Sequence, residues 1–256
     1  MRNILFSLIL LIAGAANLCA NPSEQFAAAN QSFLDGKFEG AYSGYTSLLD
    51  GGHVNSDLLY NLGNTSYRLE RTGEAVLWYE RALVIDPTHR EARQNLRFLK
   101  RTTGILQFEA SELDEWLGLF RRDTLVRSAT FTGWCAILGI AAALTLRLSS
   151  TLKTWLWCAT PILALVAVTA VGGIILKQRA LENLTSRAIV TTPEASARTS
   201  PARVAEPVIQ LPPGSQLELI SERGKWDYVD IPSDLRGWVP STSIAPLWPY
   251  DPALAD

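Results

Sequence analysis

A pattern of small and aromatic residues recurs at a spacing of about 34 residues, and that period restricts the first hundred residues to stacked pairs of short helices. The second copy carries Leu62-Gly63, Ala75, Tyr79, Ala82 and Pro87. Shifting back by one period finds Ala28-Ala29, Ala41 and Tyr45, with Gly36 and Phe38 marking the turn between helices. Small residues fall where two helices must approach, and an aromatic fills the space where they diverge. Neither helix of such a pair can bury its apolar side alone, so copies must pack on one another. In the first copy His53 stands where Pro87 closes the second, and Gly51-Gly52 supplies the helix stop, because glycine tolerates a left-handed cap. Beyond Pro87, Thr88 is the expected cap of a terminal helix through Glu91, Leu96, Phe98 and Leu99 that shields the last repeat.

These residues resemble the tetratricopeptide repeat over Pro22 to Arg101, and a repeat domain is assigned to 21–104. The resemblance implies a concave groove lined by the inner helices, at Phe26, Asn30 and Phe33 in the first copy and Tyr60, Asn64, Tyr67 and Arg68 in the second. Asn30 and Asn64 occupy the same place, four residues after an aromatic and so on its face of the helix. An amide there can donate to and accept from an extended peptide backbone. Related repeats that clamp a terminal carboxylate place lysines where this chain has Phe26 and Tyr60, which favours a more apolar partner segment. The alternative is that both asparagines are solvated or steady the helix pair.

The apolar residues, 48% of a 256-residue chain with net charge -2, are gathered into blocks. A near-neutral balance without a clustered basic surface argues against nucleic acid as a partner. Arg2, the apolar run Ile4 to Ala16 and Leu18-Cys19-Ala20 before Asn21-Pro22 have the layout of a secretory signal peptide over 1–20, with an uncleaved anchor as the alternative. Leu18 stands where a lipoprotein signal wants Gly or Ala, against lipid attachment at Cys19. Two further runs are long enough to cross a bilayer, assigned to 128–148 and 154–176. Between Ser128 and Leu146, and between Thr154 and Leu176, there is no Asp, Glu, Lys, Arg or His. Neither run therefore offers a proton relay or an ion path, and both read as anchors. Arg147 and Lys153 in the connector suit a cytoplasmic loop, although Arg121, Arg122, Arg127, Lys177 and Arg179 flank the outer ends. Export of the repeats followed by two crossings returns the carboxyl-terminal part to the same outer side. Cys135 and Cys158 fall near opposite ends of their helices and are not expected to pair.

Between the repeats and the first span, Leu113, Trp116, Leu117 and Phe120 share one helical face, with Ser111 and Asp114 as a capping box, giving a juxtamembrane amphipathic helix over 105–127. It would lie in the headgroup region or pack on the last repeat. After a polar linker at 177–186, short apolar runs separated by Pro, Gly and Ser indicate a small all-β unit over 187–247, followed by a tail at 248–256.

Ala188-Ile-Val, Ala197-Arg198, Ser200-Pro201, Leu211-Pro-Pro-Gly214, alternating Leu217 and Leu219, Trp226, Tyr228-Val229 and Gly237-Trp238-Val239 resemble a bacterial SH3 domain. Such domains commonly carry a larger apolar residue where this chain has Ala197, so loose packing of that strand is expected. Trp226, Tyr228 and Trp238 could together stack on an extended peptide or a glycan. Tyr228 and Trp238 are nevertheless assigned to the core, and Trp226, beside the Arg223-Gly224-Lys225 turn, is the ligand-contact candidate. The only histidines, His53 and His89, have no Cys or carboxylate at metal-ligand spacing, and no nucleophile elbow or phosphate loop occurs. Neither an enzyme nor a cofactor is expected.

The fold class is therefore multidomain: an all-α repeat domain, a two-helix transmembrane hairpin and a small all-β SH3-like barrel. This order resembles the BatE-type proteins of bacterial aerotolerance operons, whose relatives are encoded with MoxR-type ATPases and membrane-anchored von Willebrand factor A proteins. The resemblance implies an inner-membrane scaffold presenting both soluble parts to the periplasm. The competing reading is a cell-wall attachment protein that grips peptidoglycan.

Overall fold

A computed structural model of the chain describes residues 21–109, 122–147 and 149–250. The segment read as a signal peptide and the apolar stripe from Leu113 to Phe120 lie outside them. Five helices come first: α1 (Pro22–Leu34), α2 (Phe38–Asp50), α3 (Ser56–Arg68), α4 (Thr72–Ile85) and α5 (Arg90–Thr102). Local chemistry sets their ends. Asn21 Oδ1 accepts from Ser23 N at 3.2 Å before Pro22, and Asn55 Oδ1 accepts from Leu58 N at 2.8 Å. Helix α2 stops as expected at Gly51-Gly52, where Gly52 takes φ 82° and His53 N donates to Leu48 O at 3.0 Å. The α1 stop uses Gly36 at φ 76°, and the corresponding place after α3 holds Glu70, forced to φ 61°. The cap of α5 is His89 rather than Thr88: His89 Nδ1 accepts from Ala92 N at 3.2 Å, while Thr88 N and Oγ1 donate to Asp86 Oδ1 at 2.9 and 2.7 Å. Proline at 87 ends α4 and shifts the new helix start one residue on.

The repeats bury the small residues of the period. A Cβ on Gly63 would stand 2.5 Å from the Tyr79 ring, and one on Gly44 would stand 3.0 Å from Ala29 Cβ. Ala41, Tyr45, Leu58, Leu59, Leu62, Ala75, Val76, Tyr79 and Ala82 form the buried centre, and Ala92, Leu96 and Leu99 of α5 close its end.

Two long apolar helices follow, α6 (Arg122–Thr145) and α7 (Ser150–Leu184), and pack as a hairpin. Their stretches Thr124–Thr145 and Ser150–Leu176 are long and apolar enough to cross a membrane, and only 11% and 17% of their most apolar windows are buried. They meet closely at Gly139, where a Cβ would lie 2.7 Å from Thr160 Cγ2. Cys135 and Cys158 are unpaired. The stretch 177–184, expected as a linker, continues α7 instead, for roughly 12 Å at about 1.5 Å per residue. Only Thr185 and Ser186 separate it from the first strand.

The carboxyl-terminal unit is a seven-stranded antiparallel sheet: β1 (Arg187–Val190), β2 (Ala195–Arg198), β3 (Pro207–Leu211), β4 (Gln216–Arg223), β5 (Trp226–Ile231), β6 (Leu235–Pro240) and β7 (Ile244–Pro246), in the order β3-β2-β6-β5-β4-β1-β7. Its inner face buries Val190, Ala195, Ala197, Leu211, Leu217, Val229, Ile231 and Val239. Ala197 does not leave the strand loose. A Cβ on Gly237 would stand 2.8 Å from Ala197 Cβ, so two small residues let the backbones close together.

The repeats and the sheet form a joint core. A Cβ on Gly73 of α4 would collide with Val190 O and stand 2.7 Å from Thr191 Cα, and one on Gly214 would stand 2.9 Å from both Val76 Cγ2 and Ile105 Cδ1. Gln216 Nε2 donates to Glu80 Oε1 at 3.1 Å, and Glu80 also receives Lys100 Nζ at 2.9 Å. Arg81 is only 5% exposed. It donates through Nε to Leu247 O at 2.9 Å and through Nη2 to Pro246 O at 2.8 Å, between the rings of Trp78 at 4.5 Å and Tyr250 at 5.5 Å. Burial pulls its pKa down to about 10. The two carbonyls offset that desolvation, and they place 247–250 on the repeats rather than in a free tail. Residues 105–109, expected at the start of an amphipathic helix, are not helical, and Leu106 is tied to the sheet instead. There Leu106 N donates to Ser215 Oγ at 3.1 Å and Gln216 N to Leu106 O at 2.9 Å.

Candidate functional site: the repeat groove

Helices α1, α3 and α5 are linked to the outer helices by a polar ladder that follows the sequence period. Asn30 Oδ1 accepts from Tyr45 OH at 2.6 Å and from Asn61 Nδ2 at 3.2 Å. One period later Asn64 Oδ1 accepts from Tyr79 OH at 2.8 Å and from Asn95 Nδ2 at 3.0 Å. Each asparagine oxygen has two acceptor sites, and both are used inside the stack. Among the described residues, the amide nitrogens of Asn30 and Asn64 have no acceptor and can donate outward. Burial raises the pKa of Tyr45 to about 12 and moves that of Tyr79 further in the same direction, so both phenols stay protonated donors at neutral pH.

Beside the second ladder, Phe33, Asn64, Tyr67, Arg68, Tyr79, Asn95, Phe98 and Leu99 line a cavity of about 240 Å³ open to solvent. Four of the seven groove residues read from the sequence meet here: Phe33, Asn64, Tyr67 and Arg68. The other three lie apart. Phe26 packs its ring 5.8 Å from Tyr45, Asn30 belongs to the first ladder, and Tyr60 sits 6.0 Å from the Tyr79 ring and 4.9 Å from the His89 ring. Those aromatics are drawn into the joint between inner and outer helices. Asn95 and Phe98 were not anticipated, although the period would have found them one repeat after Asn61 and Asn64.

The cavity wall is apolar but not closed. Tyr67 is 45% and Phe98 53% exposed, with their rings edge to face at 6.4 Å. Phe33 meets Phe38 at 5.4 Å, and the Arg68 guanidinium lies 4.5 Å over the Phe38 ring. Exposed aromatic surface beside hydrogen-bonding amides can bury a partner's apolar side chain while satisfying its backbone.

Residues 56–89 match the tetratricopeptide repeat. The match spans α3, α4 and the closing Pro87, which is the better-preserved copy of the period. Tetratricopeptide repeats generally mediate binding of protein partners. No curated protein and no solved structure matches the chain.

A second aromatic surface lies on the outer face of the sheet. Strand β5 alternates, with Asp227, Val229 and Ile231 inward and Trp226, Tyr228 and Asp230 outward. Tyr228 pairs across the strands with Trp238, rings 5.0 Å apart, and Trp226 pairs with Pro240. Tyr228 and Trp238, expected in the core, are therefore half-buried members of the same outer row as Trp226. The hydrophobic cluster buried under the sheet consists of aliphatic residues.

Proposed function

We propose that the chain is a membrane-anchored periplasmic scaffold that captures protein partners through the tetratricopeptide groove and performs no chemistry of its own. The observation that carries this reading is the open aromatic cavity around Tyr67, Phe98 and Arg68, placed on a body whose sheet is joined to a long apolar helix by two residues. The order of repeats, hairpin and sheet, together with the SH3-like sequence of the sheet, supports a BatE-like assembly with MoxR-type ATPases and membrane-anchored von Willebrand factor A-type proteins. Such an assembly would act in stress tolerance or envelope maturation. The direct test is co-isolation of the full chain, solubilised from envelopes, with a von Willebrand factor A-type membrane protein. Recovery that fails when Tyr67 and Phe98 are both changed to Ala is expected; recovery unaffected by those changes contradicts the groove.

The outer row Trp226, Tyr228 and Trp238 favours one second reading, attachment to peptidoglycan through the sheet. Full-length protein that sediments with purified sacculi, and ceases to do so when Trp226 and Trp238 are changed to Ala, would support it over the first.

A further inference from the structure

We infer that the groove takes an extended segment whose aromatic or large apolar side chain is followed by carboxylates, with the acidic end directed toward α5. This rests on the groove reading and adds the chemistry of the partner. Among the described residues the only charged side chain in the cavity wall is Arg68, and no Asp or Glu lines it. Its guanidinium is held against the Phe38 ring, which fixes the plane and leaves its edge to meet a carboxylate as a two-pronged donor. Helix α5 carries Arg90, Arg93, Arg97, Lys100 and Arg101 against a single acid, Glu91. Lys100 is paired with Glu80, and Arg93 donates to Pro87 O. Arg97 and Arg101 are exposed, and among the described residues no carboxylate is within ion-pair distance of either.

The period gives this charge a direction. Phe33, Tyr67 and Arg101 are equivalent positions in three successive inner helices, so the groove grades from apolar at α1 through aromatic at α3 to cationic at α5. Arg101 lies one turn beyond Phe98 on the same helix surface. By contrast, Lys37 and Arg71 near the first copy are neutralised by Asp35, Glu39 and Glu74. Among the described residues, the groove cations without a carboxylate partner thus lie toward α5, where they would draw in and orient an anionic segment.

The test uses full-length protein in detergent micelles on an array of synthetic ten-residue peptides. Each carries one Trp, Phe or Leu flanked on its carboxyl side by Glu, Gln or Lys. Selection of the Glu series is expected, with binding about tenfold weaker in the Arg68→Gln, Arg101→Gln double variant and largely kept in Arg68→Lys. Selection of Gln or Lys peptides that is abolished by Tyr67→Ala with Phe98→Ala overturns the charge assignment and leaves the groove standing. Glu peptides that bind equally well to that aromatic variant overturn the groove itself, and an array on which nothing binds overturns both.

Discussion

At the scale of single residues, the hydroxyls of Tyr45 and Tyr79 join the helices through an acceptor shared with an amide, so each phenol is both packed and spent as a donor. Removing Tyr79 OH as Tyr79→Phe leaves Asn64 short of a partner and should cost about 1–2 kcal/mol in denaturant unfolding, with the fold retained. The raised phenol pKa gives the pH dependence a sign. Below the ordinary tyrosine value near 10 this contribution is fully present. As pH rises from there through the folded value of about 12 for Tyr45, the unfolded chain loses its proton first and stability falls. Thermal melts between pH 8 and 11 should decline more in the wild type than in Tyr45→Phe with Tyr79→Phe. Close packing makes an equally local prediction: Gly63→Ala drives a methyl into the Tyr79 ring and should destabilise by roughly 1–3 kcal/mol. In the other direction, Glu70→Gly relieves a left-handed residue at the α3 stop and should raise stability by about 1 kcal/mol, read as a higher melting temperature.

At the scale of elements, the docking of α4 on the sheet hangs on Gly73 and Arg81. Gly73→Ala leaves the helix intact, since alanine is the better helix former, yet it cannot keep contact with Val190 and Thr191. Hydrogen exchange should then rise across β1, β7 and residues 105–107 while α1 to α3 stay protected; unchanged protection at β1 would mean that the interface tolerates a methyl there. The helices and most strands were legible because small residues, caps and alternation act locally. The joint between repeats and sheet was not, since it pairs residues more than a hundred positions apart. One signal did exist. Gly44 and Ser47 in the first copy become Trp78 and Arg81 in the second, an exchange of small for large that makes sense only if the second outer helix is covered. The same comparison explains the groove. Period analysis finds the equivalent positions, but it cannot say that Asn30 and Asn64 spend their oxygens on Tyr45 and Tyr79, or that Phe26 and Tyr60 pack on those same two rings. Tyr228 and Trp238 were misassigned for a related reason. Alternation separates the two faces of a strand, and only the register against β6 shows which face the aliphatic core occupies.

At the scale of the whole molecule, a single body made of repeats and sheet cannot straddle a bilayer, so the hairpin must leave and re-enter on one side wherever α6 and α7 cross. Helix α7 runs unbroken through Leu184, whose side chain packs against the core shared by repeats and sheet. Labelling with a membrane-impermeant maleimide tests this most directly, in intact cells with permeabilised outer membranes. The chain would have Cys19, Cys135 and Cys158 replaced by Ser, with single cysteines introduced by Ser43→Cys on α2, Glu222→Cys on β4 or Ser149→Cys between the apolar helices. Positions 43 and 222 should label together and 149 only after the inner membrane is opened. Labelling of 43 and 222 from opposite sides would contradict the account.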